Sequence, residues 1–156
     1  MRKLSSKKST LTGDLTGSVI HGSYRKEMVK AQWTAVTLSA GTGAYPDTSA
    51  ILPDNAIVTN AWYEVTGVNF ASPTSDTATL ALGITSDDAT GIVGAVSIAT
   101  GTPWDVGLHD TVCDGVATNF TTKTTAARTL TCTVGVEAVT SNAAVLTLWT
   151  EYIVGL

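Results

Sequence analysis

From about Gln32 onward, apolar and polar residues alternate with a period of two, the spacing that turns one face of a strand to a core and the other to water. In residues 128–138 the apolar set Leu130, Cys132, Val134, Val136 and Ala138 alternates with Thr129, Thr131, Thr133, Gly135 and Glu137. Residues 77–84 repeat the pattern with Leu80, Leu82 and Ile84 inward, and residues 56–68 put Ile57, Ala61, Tyr63 and Val65 on one face. The final run, 144–154, is apolar on both faces: Val145, Trp149 and Ile153 alternate with Leu146, Leu148, Tyr152 and Val154. Such a strand belongs at a sheet centre or beneath a neighbouring subunit. Val145, Leu146, Leu148, Trp149, Tyr152 and Ile153 are therefore the expected self-association residues of a homo-oligomer.

Turn chemistry separates the runs: Gly41-Thr42-Gly43, Leu52-Pro53-Asp54-Asn55, Ser72-Pro73-Thr74-Ser75-Asp76, Asp87-Asp88-Ala89-Thr90-Gly91, Gly101-Thr102-Pro103 and Thr140-Ser141-Asn142. Short strands between such turns predict an all-β fold, an antiparallel β-sandwich or jelly roll, over residues 31–156. A helix is expected only around residues 24–31. Composition agrees, because Thr, Val and Ile make up 51 of 156 residues and suit a pleated surface. Charged residues are too few for the outer faces of a helical bundle, and an apolar fraction of 44% rules out a wholly disordered chain. The length fits one domain.

Charge divides the chain in two. Residues 1–30 hold seven Lys and Arg against Asp14 and Glu27, a net +5, whereas residues 31–156 carry −9. Residues 1–30 thus read as a basic, largely extended arm, whose first twenty residues or so carry too little regular apolar surface to order alone. Exposed ion pairs contribute only about 0–1 kcal/mol each, so an arm that binds through Arg2, Lys3, Lys7, Lys8, Arg25, Lys26 and Lys30 also needs apolar anchors. Leu11, Leu15, Val19, Ile20, Tyr24 and Met28 are the candidates. Nucleic acid is a poor partner, because the arm lacks interleaved stacking rings and the acidic body repels phosphate. No membrane partner is expected either: the longest uncharged runs, 31–46 and 89–104, are broken by Gly, Pro and Thr, and residues 4–10 lack the apolar segment of a secretory signal.

Chemistry has little foothold. His109 lies near Asp105, Asp110, Cys113 and Asp114, but no HExxH or CxxC frame makes them converge. The Asp87-Asp88 pair lacks the alternating acids of a calcium loop, and Glu64, Glu137 and Glu151 fall on wet faces or strand ends rather than as a paired-carboxylate site. No GxSxG elbow or phosphate loop occurs. Cys113 and Cys132 imply no disulfide scaffold, and Cys132 reads as a small buried hydrophobe. The four Trp, with Tyr45, Tyr63 and Tyr152, suit packing better than a sugar platform, with Trp104 the best exposed contact. The expectation is a chain without catalytic residues, cofactor or metal.

Four patterns carry a resemblance: Leu52-Pro53-Asp54-Asn55-Ala56-Ile57-Val58 leading into a long strand, Thr77-Ala78-Thr79-Leu80-Ala81-Leu82-Gly83-Ile84, Thr102-Pro103-Trp104-Asp105, and the closing strand pair in 128–139 and 144–154. Together they cover most of residues 50–156. In these the chain resembles the small capsid decoration, or cement, proteins of tailed phages, which have a jelly-roll-like β-sandwich. The resemblance implies a non-enzymatic virion protein on the outer capsid surface. There it would form a trimer and reinforce contacts between subunits of the major capsid protein. The same fold serves phage tails and fibres, so a module that binds a host surface glycan is the alternative.

Overall fold

The two-residue alternation becomes two stacked antiparallel sheets in a computed structural model that describes residues 26–99, 103–111 and 123–154. In chain order the elements are β1 (Glu27–Thr34), α1 (Ala35–Leu38), β2 (Gly43–Leu52), β3 (Ala56–Thr66), β4 (Thr79–Ile84), β5 (Asp88–Ser97), β6 (Gly107–Asp110), β7 (Arg128–Gly135) and β8 (Val145–Val154). One sheet has the order β1-β8-β3-β6 and the other β2-β7-β4-β5. This interleaving of early and late strands is the jelly roll. Between the sheets, Leu146 and Leu148 of β8 and Tyr63 and Val65 of β3 join Leu80 and Leu82 of β4 and Leu130 and Cys132 of β7, all buried. The two-sided strand β8 lies between β1 and β3, at a sheet centre as its pattern requires.

The structure corrects three local expectations. Residues 27–31 are strand, not helix: Val29, Ala31 and Trp33 turn inward at alternate positions, and β1 pairs with β8 from Glu27↔Tyr152 to Thr34↔Val145. Cross-strand pairing overrides a weak helical propensity here. The last residues of the expected arm, from Glu27 to Lys30, thereby belong to the sheet. Ile57 leaves the face of Ala61, because a bulge between Val58 and Asn60 adds one residue and shifts the phase, so Ala56 and Val58 are buried instead. Val136 does not continue the inward row of β7, since the strand ends at Gly135 and Val136 stands at φ 68° with 74% of its surface exposed.

A polar contact joins the sheets. The N–H of Gln32, on the free edge of β1, donates to Asp47 Oδ2 of β2 at 2.9 Å. Burial opposes ionisation of Asp47, but the hydroxyl of Ser49 and the backbone N–H groups of Gln32, Ser49 and Ala50 outweigh it and hold the carboxyl below its usual range. Two residues further on, at the C-terminal end of β1, Thr34 caps the short helix α1 by accepting from Thr37 N–H at 3.2 Å. Gly67 has φ +83° and would place a Cβ 2.2 Å from the carbonyl oxygen of Ala143, so only glycine lets the β3–β4 and β7–β8 connections approach this closely.

Candidate functional site

The outer face of the β1-β8-β3-β6 sheet gathers the side chains best placed to meet another molecule. Because Tyr63 and Val65 face the core, the alternate residues Trp62 and Glu64 face out. The register then aligns one row across four strands: Lys30 opposite Trp149, Trp149 opposite Trp62, and Trp62 opposite Asp110. The two indoles stack with centroids 6.4 Å apart and planes 13° from parallel, both half-buried. Aromatic pairs across strands stabilise a sheet, and these two leave one broad surface in contact with water.

The neighbouring rows are mixed. Gln32, Thr147, Glu64 and Leu108 form one, in which Gln32 Nε2 donates to Thr147 Oγ1 at 3.2 Å and Leu108 is strongly exposed. Met28, Glu151 and Asn60 form the next, with Lys26 Nζ 3.4 Å from Glu151 Oε2. Ile153 and Ile57 follow.

Half of the expected self-association set lies on this face. Val145, Trp149 and Ile153 point outward and are half-buried, whereas Leu146, Leu148 and Tyr152 are core residues that no partner reaches without unfolding β8. The Tyr152 hydroxyl donates to Glu27 Oε2 at 2.9 Å, which fixes the start of β1. Of the expected arm contacts, Lys26, Met28 and Lys30 are exposed at or near the start of β1. Arg2, Lys3, Lys7, Lys8, Leu11, Leu15, Val19, Ile20, Tyr24 and Arg25 lie outside the described residues. The row through Lys30 and Asp110 was invisible to one-dimensional reading, because it joins four strands distant in sequence; the outward phase of Trp62 and Trp149 was its one legible part.

The other candidate groups are used internally. His109 Nε2 sits 2.7 Å from the carbonyl oxygen of Asp105, and its ring stacks on Tyr63 at 5.0 Å. Asp110 lies on the opposite face of β6, and Cys113 and Asp114 lie outside the described residues. Among the described residues no three His, Cys, Asp or Glu groups gather where they could hold a metal ion. Asp87 takes Arg128 Nε at 3.2 Å, and burial pushes the Cys132 thiol far up. Trp104, expected at the surface, is only 1% exposed: its Nε1 donates to Val96 O at 3.0 Å and its ring packs 5.1 Å from Tyr63. With its polar edge satisfied, the whole ring can be buried.

Glu137 organises the loops at the far end of the sandwich. Its Oε1 accepts from Ser72 Oγ at 2.5 Å, Thr77 Oγ1 at 2.7 Å and Thr74 N–H at 3.3 Å. The Ser72 and Thr77 hydroxyls lead in lowering its pKa to about 2. Asn142 Nδ2 donates to Asn69 O, and Thr140 N–H to Ala71 O, so the loops are laced together beneath the exposed Val68, Val106 and Val136.

No protein-family model matches the chain, and no curated protein matches it in sequence. Solved structures share its fold. A chain of the cyanophage Pam1 capsid asymmetric unit is 19% identical with a TM-score of 0.57, over 99% of this chain and 100% of that one. A chain of the Ralstonia phage GP4 capsid is 16% identical with a TM-score of 0.55, over 85% and 86%. A chain of the acid-stable capsid of Helicobacter pylori bacteriophage KHP30 is 14% identical with a TM-score of 0.55, over 83% and 87%. The chain therefore has the jelly-roll fold found in chains of these three phage capsid structures.

Proposed function

We propose that this chain is a non-enzymatic structural protein of a phage virion, seated on the outer capsid surface, where it stabilises contacts between subunits of the major capsid protein. The observation that carries the reading is the match to a chain of a phage capsid asymmetric unit over 99% of this chain and 100% of that one. Fold alone does not fix function, so the charge division supplies the second support. The body carries a net −9, and the basic residues of the arm act as a tether that orders on a polar or acidic patch of the capsid protein. Apolar anchors in the arm make the attachment only partly sensitive to salt.

The test is decoration of empty shells by the intact chain and by a form lacking residues 1–25, followed across a salt series. The reading expects the intact chain to bind and the shortened one to bind more weakly. Equal binding at every salt concentration rejects the tether. Absence of shell binding together with retention on host surface glycans favours the tail or fibre alternative.

A further inference from the structure

The outer face of the β1-β8-β3-β6 sheet is complementary to itself, and we propose that two copies of this chain pair through it about a two-fold axis running along the strands. The row Lys30, Trp149, Trp62, Asp110 is cationic at one end, aromatic in the middle and anionic at the other. A two-fold axis between facing sheets and parallel to their strands exchanges β8 with β3 and β1 with β6. Lys30 then lies opposite the partner's Asp110 at both ends of the row, and Trp149 lies opposite the partner's Trp62.

The rest of the face obeys the same operation. Glu151 meets the partner's Asn60, whose amide can donate to it, and Ile153 meets the partner's Ile57. Glu64 meets the partner's Thr147. In these rows no carboxylate faces a carboxylate and no ammonium an ammonium. An axis across the strands through the same row does the reverse, setting Lys30 on the partner's Lys30 and Asp110 on the partner's Asp110. The charge pattern thus selects one axis and argues for a second copy as the occupant.

Four strands at about 4.8 Å spacing and about eight residues at ~3.3 Å give a face of about 500 Å² per copy, ~1,000 Å² in total, the lower limit of a specific interface. Pairing is accordingly weak enough to be followed by dilution. The trimer implied by the resemblance would use a different surface. The pairing is a property of the purified chain and stands or falls separately from the virion reading.

Sedimentation velocity of the full chain, of Lys30→Asp, of Asp110→Lys and of their equimolar mixture tests it. The parent chain is expected to dimerise reversibly, and each single variant to dimerise about tenfold or more weakly, because like charges then face each other twice. The mixture is expected to recover the parent affinity as a one-to-one heterodimer, since every pair is again of opposite sign; that recovery also shows that both variants are folded. A parent that stays monomeric at high concentration, single variants that associate like the parent, or a mixture that fails to recover overturns the proposal.

Discussion

The indole N–H of Trp33 in β1 donates to the carbonyl oxygen of Tyr45 in β2 at 2.7 Å, so one hydrogen bond ties an edge strand of one sheet to an edge strand of the other. Trp33 is buried, and the carbonyl it serves has a side-chain donor in place of water. Replacing Trp33 by Phe keeps most of the packing but removes the donor and leaves a small void. A loss of about 2 kcal/mol in chemical denaturation is expected.

Thr150 presents the opposite case. It is fully buried in the core-facing row of β8, and its Oγ1 has no hydrogen-bond partner. Thr150→Val substitutes a methyl group for the hydroxyl at nearly the same volume. The account expects stability to rise by about 1 kcal/mol, read as a higher denaturation midpoint with an unchanged slope.

The alternation in β4 and β8 was legible because neither strand carries an inserted residue: β4 pairs with β7 and β8 with β1 without a register shift, the bulges lying in their other neighbours β5 and β3, and Leu80, Leu82, Leu146 and Leu148 all fall where period two puts them. Three features were not. The bulge beside Thr59 changes phase without any proline or glycine to announce it. The strand character of Glu27 to Lys30 comes from β8, more than a hundred residues away. Trp104 is buried because Val96 and Tyr63 receive it, and neither partner can be inferred from the local Pro103-Trp104-Asp105 sequence. The outer-face row fails for the same reason, since register is a property of paired strands rather than of any one of them.

Glu137 makes acid sensitivity local. Its folded pKa of about 2 lies below the ordinary glutamate value of 4.5, so the stability it contributes is fully present above about pH 4.5 and is lost as the pH falls toward 2. The protection of the amides in 71–78 against hydrogen exchange, relative to their intrinsic rates at each pH, should fall across that window. In Glu137→Gln the protection should be lower at neutral pH and should lose this pH dependence; an unchanged profile would contradict the assignment.

The start of β1 separates two truncations. Removing residues 1–25 leaves every β1–β8 pair in place, whereas removing residues 1–30 deletes the first four, including Glu27 with its hydrogen bond from Tyr152. The shorter deletion should melt like the parent chain and the longer one about 5–10 °C lower, measured by calorimetry. Only the shorter deletion isolates the tether from the fold.

The central claim is a position on a particle, and an electron cryomicroscopy reconstruction of the phage that carries this chain tests it most directly. The account predicts jelly-roll density on the outer face of the capsid, with residues 1–25 running onto the major capsid protein. Density for the chain confined to the tail or fibres, or a capsid whose outer surface lacks it, would contradict the account.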